Sequence, residues 1–330
     1  MKGIRSAAGL GAALGSLLAL PAGAFAEAPA PAVTPASAPA PGRLQLAWQR
    51  VGGNPLFAGV GRSVVVRGII TPYVAGQSVT VAISRDGRRI STGAVAVVAL
   101  GNETGGFHIS FSSGGAGYVT VRATHEATAA QAAFSATSAG VHFVHQNLGL
   151  GASGASVRVL QAELAGLHYF VPQNGVLDEA TGQALVAYRK MTGLARIPYA
   201  GGQVFARLAA GAGAFHVRYR RDGRHVEADL TRQVLAEIEP GGRVREIYTM
   251  SSGKPSTPTV LGRFRVYRKE PGINSHGMVD SSYFISGYAI HGYAEVPTFA
   301  ASHGCLRIPI PDAPAVYAWV GEGMPVDVYN

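Results

Sequence analysis

A single cysteine, Cys305, occurs in the 330 residues of the chain. That excludes an intrachain disulfide framework and any zinc or iron–sulfur site built from several thiolates. Charge is scarce: Asp, Glu, Lys and Arg together make up 14%, too little for a mostly disordered chain. Aromatic residues reach only 8%, and the 44 glycines follow no Gly-X-Y period, which rules out a collagen-like helix. Beyond residue 26 no apolar run approaches the ~20 positions needed to cross a bilayer. What is present is apolar material at 47%, enough for packed cores in two or three domains of ~100–200 residues. Frequent glycine points to many turns and much β structure.

The chain opens with Met1-Lys2-Gly3-Ile4-Arg5, a short basic start. An Ala/Gly/Leu run over Ala7–Leu20 follows, and Ala24-Phe25-Ala26 supplies a small-x-small cleavage pattern. Residues 1–26 therefore read as a secretory signal peptide, which implies export to a periplasm, cell wall or extracellular space. Removing Lys2 and Arg5 takes the formal net charge from +9 to +7. Basic residues cluster at Arg218–Arg224 and Arg243–Arg245 without interleaved stacking aromatics, and export argues against nucleic acid as a partner. A solvated face accounts for them; attraction to an anionic envelope is the alternative.

Residues 27–42 hold five prolines and six alanines, an extended linker. Over 44–140, short alternating runs are separated by Asp86-Gly87, Gly101-Asn102 and Gly114-Gly115. The runs are Ser63–Arg67, Ser78–Ile83, Gly93–Leu100, Phe107–Phe111 and Tyr118–Arg122. This spacing predicts an immunoglobulin-like β-sandwich. His108 and His125, each alone in a strand-like run, read as structural. Over 148–212 the period changes. Ser156 is placed as the cap of a helix with Val157, Leu160, Leu164 and Leu167 on one side. Asp178 caps a second helix bearing Ala184, Leu185, Tyr188 and Met191, which Gly193 stops. A third runs about 203–210. Over 214–330, alternation returns at His225–Asp229, Gln233–Glu239 and Val244–Met250, with helical signal only at Asp312–Val320, so a mainly β domain is expected.

Chemistry concentrates around the one thiol. It lies in Ser302-His303-Gly304-Cys305-Leu306-Arg307, with His291-Gly292 upstream. A thiol with its usual pKa of ~8.5 is mostly protonated at neutral pH, and the thiolate is the nucleophile. A neighbouring histidine is the usual activator. Gly304 permits a tight turn, whose backbone N–H groups can face a developing oxyanion. A lone cysteine is otherwise a small buried hydrophobe, but such a residue has no need of His-Gly before it and Arg after it. Zinc held by His276, His291, His303 and Cys305 is disfavoured, because His276 and His291 lack a ligand partner two to five residues away. The papain pattern is disfavoured, since it wants its histidine downstream of the cysteine.

His291-Gly292 followed by Ser302-His303-Gly304-Cys305-Leu306-Arg307 resembles the signature of L,D-transpeptidases with a YkuD-type catalytic domain. The stretch Ser251-Ser252-Gly253-Lys254-Pro255 through Phe264, and His225 through Leu235, resemble other marked parts of that domain. Val157–Gln161, Asn174–Asp178, Tyr188–Lys190 and Gly193-Leu194 resemble a peptidoglycan-binding domain. The first resemblance implies Cys305 as acyl-accepting nucleophile and His291 as general base and acid. It further implies that Ser302, His303, Gly304 and Gly292 support the turn, and that Arg307 holds the loop or a substrate carboxylate. It implies thioester formation with a peptidoglycan stem tetrapeptide, release of D-alanine, transfer to a neighbouring amine in a 3→3 crosslink, and reaction with β-lactams of the carbapenem kind. No metal or cofactor is implied. The same nucleophile would serve an L,D-carboxypeptidase or a wall-protein attachment enzyme. A non-catalytic wall-binding protein is the remaining alternative.

Overall fold

A computed structural model describes residues 38–330; the expected signal peptide and most of the 27–42 linker lie outside the described residues. Ten strands come first. They are β1 (Arg43–Gln49), β2 (Phe57–Gly59), β3 (Ser63–Thr71), β4 (Ser78–Arg85), β5 (Arg88–Ala96), β6 (Val98–Gly101), β7 (Thr104–Ser112), β8 (Gly117–His125), β9 (Phe134–Thr137) and β10 (Val141–Val144). They make one sheet ordered β1-β3-β7-β6 and a second ordered β2-β10-β8-β4-β5, with β9 on β8. Side chains alternate across a strand. On β3, Val64, Val66 and Ile70 therefore go inward while Ser63, Arg67 and Thr71 face water. The inward residues of both sheets, among them Val66, Val81, Phe107, Val121 and Phe143, meet in one core.

The run 93–100, read from sequence as one strand, is two. β5 belongs to one sheet and β6 to the other. Val97, buried between them, gives its N–H to the Gln77 carbonyl. The chain changes sheets there.

Next come β11 (Asn147–Leu148), α1 (Ala155–Gly166), α2 (Glu179–Met191), β12 (Ala200–Gly201) and α3 (Gly202–Ala209). Asp178 caps α2 by accepting the Thr181 N–H at 2.8 Å. Gly193 follows α2 with φ +66°, a conformation that costs glycine little. Ser156 does not cap α1. The helix begins a residue before it, after Gly154, and the Ser156 hydroxyl instead accepts the His145 N–H at 3.0 Å. The helical core of Leu160, Leu164, Leu185, Tyr188 and Phe205 is continuous with Val234, Ala236, Ile238 and Ile247 from the strands that follow.

Those strands are β13 (His225–Asp229), β14 (Val234–Glu239), β15 (Arg243–Thr249), β16 (Gly262–Arg265), β17 (Arg268–Ile273), β18 (Val279–Ile285), β19 (Tyr288–Tyr293), β20 (Leu306–Pro309) and β21 (Pro325–Tyr329). The helical signal at 312–320 resolves into a 3-10 turn, Ile310–Asp312, and α4 (Ala313–Trp319). One sheet is ordered β15-β14-β13-β21-β16 and the other β17-β18-β19-β20. Val226, Leu235 and Tyr248 of the first sheet pack with Ile290, Leu306 and Ile308 of the second and with Val316 and Trp319 of α4. The first sheet is thus covered on both faces, by the helices on one side and by this second core on the other.

Candidate active site

β19 and β20 run parallel, with Ile290 opposite Leu306 and His291 opposite Arg307. Ile290, Leu306 and Ile308 point into the core. The two-residue period of a strand then puts His291 and Tyr293 of β19 on the other face, with Arg307 of β20 and Cys305 just before it. His276, Met278, His291, Tyr293, Ser302, His303, Cys305 and Arg307 line a cleft there of about 310 Å³.

The turn that presents Cys305 is held from several sides. The Ser302 hydroxyl donates to the Cys305 carbonyl at 2.6 Å and accepts the Gly304 N–H at 3.0 Å. Thr259 Oγ1 donates to the Gly304 carbonyl at 2.9 Å and accepts the Gly253 N–H at 2.9 Å. Gly304 has φ +123°, and a Cβ there would lie 2.5 Å from the Tyr288 ring, so both backbone and space call for glycine. The strand end after β15 runs alongside: Ser251 exchanges both backbone bonds with Arg307, at 2.9 and 3.0 Å.

His291 is buried, and its Nδ1 lies 2.8 Å from the Gly292 carbonyl. A carbonyl only accepts, so Nδ1 carries the proton and neutral His291 keeps Nε2 as its basic nitrogen. Burial lowers its pKa to about 4; the Gly292 bond works against that shift and the Arg307 charge adds to it. Cys305 packs against Met278, Tyr283 and Ala289. Burial there pushes its thiol up, with the Ala289 backbone and Arg307 pulling the other way. The thiol lies 3.8 Å from the Gly287 carbonyl. Burial thus works against both the thiolate and the imidazolium. The Arg307 guanidinium stacks on Tyr293, 4.0 Å from the ring centroid, and no carboxylate pairs with it among the described residues. Its fork is open to an anion from the cleft.

The structure thus brings Cys305, His291, Ser302, His303 and Arg307 to one cleft, with Gly304 in the turn below. Exposed His303 turns its Nε2 to Lys254 Nζ, 3.3 Å away. Gly292 backs the site: its carbonyl orients His291, and a Cβ there would lie 2.7 Å from Ala313 Cβ. His276 lines the same cleft, though no group of three or more His, Cys, Asp or Glu among the described residues is arranged to hold a metal. His125 is buried with Nδ1 3.0 Å from the Ser78 carbonyl. Sequence reasoning missed Tyr293 and Met278, and it took in Thr259 only as part of the Ser251–Phe264 stretch, without a role. Tyr293 was within reach, two residues after His291 on the same strand face. Thr259 and Met278 depend on tertiary contacts that carry no local signal.

Residues 223–328 match the YkuD family, the L,D-transpeptidase catalytic domain. The crystal structure of an L,D-transpeptidase from Xylanimonas cellulosilytica is similar at 33% identity, over 56% of this chain and 98% of that one, with a TM-score of 0.52. One from Stackebrandtia nassauensis is 21% identical over 56% and 96%, with a TM-score of 0.36. The Enterococcus faecium L,D-transpeptidase is 26% identical over 32% and 50%, with a TM-score of 0.29. No curated protein matches the chain.

Proposed function

Because the chain belongs to the L,D-transpeptidase family, we propose that its cleft performs acyl transfer on peptidoglycan stem peptides, with Cys305 as nucleophile and His291 as general base and acid. The observation that carries this reading is the β19–β20 register, which sets His291 and Cys305 on one face in one cleft. The Cys305 Sγ–H proton passes to His291 Nε2 as sulfur attacks the carbonyl of the third stem residue. Because Gly304 N–H is already bonded to Ser302 Oγ, the Cys305 amide is the donor offered to the oxyanion. The carbonyl re-forms as the C–N bond breaks; His291 returns the proton to the leaving nitrogen, and D-alanine departs. An amine of a second stem then attacks the thioester and gives its proton to His291. The C–S bond breaks, the thiolate takes that proton back, and a 3→3 crosslink remains. Arg307 binds the carboxylate of the donor peptide.

The wider reading follows from the segments around this centre. Residues 1–26 direct export to the envelope and are cleaved, 148–212 hold the enzyme on peptidoglycan, and 44–140 form an immunoglobulin-like spacer. Incubation of the protein with stem tetrapeptides, followed by mass spectrometry, should reveal the thioester, free D-alanine and the crosslinked dimer. Tripeptide without dimer would replace transfer by hydrolysis. Release of D-alanine by folded Cys305→Ala protein would overturn the nucleophile. A carbapenem should add one covalent label to the wild type and none to Cys305→Ala. Recovery of exported protein that starts at Met1 would remove the cleavage step. Failure of residues 148–212 to sediment with insoluble peptidoglycan would remove the anchor.

A further inference from the structure

Lys190, in the last turn of α2, is 4% exposed. No carboxylate pairs with it among the described residues. Its three N–H donors go instead to the Gln233 carbonyl at 2.9 Å, Thr249 Oγ1 at 2.7 Å and the Met250 carbonyl at 2.9 Å. All three acceptors lie at the adjoining ends of β14 and β15. A buried cation is costly to desolvate, and an apolar residue packs a helix onto a sheet without that cost. The arrangement therefore calls for a reason beyond adhesion.

The bonds beyond Lys190 supply one. Gln233 adopts φ +60°, unusual outside glycine. Its side chain clasps Ser252, with Oε1 accepting the Ser252 N–H at 2.9 Å and Nε2 donating to Ser252 Oγ at 2.7 Å. The Ser252 carbonyl accepts the N–H groups of Ala301 and Ser302 at 2.8 and 2.9 Å. Ser302 in turn bonds the Cys305 carbonyl. A second path is shorter: Met250 precedes Ser251, which pairs with Arg307.

We infer that Lys190 is a positioning residue for acyl transfer: from the helical segment, it fixes the β14–β15 ends and, through Gln233 and Ser252, the turn that carries Cys305. This rests on the thioester reading of the cleft. Lys269 supplies the contrast. It donates to the Tyr317 and Val320 carbonyls at 2.5 and 2.6 Å, tying the end of α4 instead of the ends of β14 and β15.

The test uses the full chain with two readouts, D-alanine release from a tetrapeptide and alkylation of Cys305 by iodoacetamide, which needs no stem peptide. Small misplacement of a reacting group costs up to ~100-fold, so Lys190→Met should lower kcat about 10- to 100-fold, with KM within about threefold. The alkylation rate should change at least about fivefold, by the same loss of alignment. Lys190→Arg, which keeps the donors, should recover much of both. Lys269→Met should lower the melting temperature and leave both rates unchanged below it. Gln233→Ala, which removes both side-chain bonds to Ser252, should lower kcat about three- to tenfold, and joined to Lys190→Met it should add little, as for residues in one network. Folded Lys190→Met with wild-type kcat and alkylation would overturn the inference. If Lys190→Met does not fold, Gln233→Ala with both rates unchanged would do the same, because it removes both side-chain bonds to Ser252. A Lys190-dependent alkylation rate in a protein that never releases D-alanine would instead sink the transpeptidase reading and leave the relay standing.

Discussion

β3 and β13 show two ways of building a strand. β3 has one face in the core and one largely toward water, so its sequence alternates. Every residue of β13, His225 to Asp229, is buried, three ionisable side chains included. The cause is topology: the sheet holding β13 is covered on both faces, whereas the sheet of β3 packs through one. A strand covered on both sides must find partners for whatever polar groups it carries. Glu227 does so. Burial opposes its charge, yet His225, the Arg218 and Tyr219 amides and the Tyr329 hydroxyl hold its pKa below the usual range. Glu237 on β14 does so less well: burial, only partly offset by Arg245, pushes it up to about 8. The region with water on one side tolerates surface change; the doubly covered sheet spends its polar residues on holding loops in place, among them the segment that borders the cleft.

That contrast can be broken most severely in the cleft. Cys305→Ala should abolish thioester formation, a loss above about 10³-fold in D-alanine release, as for other nucleophile deletions. Circular dichroism should remain native. His291→Ala should cost about 10²–10⁴-fold, the usual worth of general acid–base assistance. Because His291 stays neutral down to about pH 4, kcat/KM should hold from pH 7 to 5 and fall as pH drops toward that value. A limb centred near 6.5 would mean that burial does not shift the group.

In the first region, Phe107→Ala should cost about 3–5 kcal/mol of stability in a denaturant titration, the range for deleting a buried ring. kcat below the transition should not change. A matching loss of kcat would mean that the two regions are coupled more tightly than their separate cores imply. The last effect concerns pH. With its pKa raised to about 8, Glu237 binds a proton in the folded state that the unfolded chain gives up above its ordinary value. Its contribution to stability is present at low pH and is lost as pH rises toward 8, with a slope of at most about 1.4 kcal/mol per unit. Glu237→Gln should remove that slope, so wild type should lose melting temperature relative to the variant between pH 5 and 8. Parallel curves would place the titration elsewhere.

Legibility followed the same division. Half-solvated strands such as β4 and β8 alternate visibly, and Asp86-Gly87 marks their hairpin neighbour by its chemistry, with both residues at positive φ. β2, β9 and β10 escaped notice, being three or four residues long, and so did the seven-residue β1. The crossing at Val97 left no mark because valine suits either sheet. In the cleft, Cys305 and His291 stood out through their neighbours in sequence. Lys190 did not: a lysine in the last turn of a helix is an ordinary surface residue until the sheet arrives above it. Its acceptors are 43 to 60 positions away, beyond any local pattern.

The position of β21 also bears on how the enzyme comes into being. It lies parallel to β13, with Val226 paired to Val326, and separates β13 from β16. The sheet behind the one that carries the cleft therefore has a gap in its interior until the strand ending at Tyr329 arrives, long after its neighbours have been made. Loop closure over such a span delays the reward for ordering β13 and β16. The bracing of the Cys305 turn by that sheet, through Ser251 and Ser252, is therefore expected to be completed late in folding.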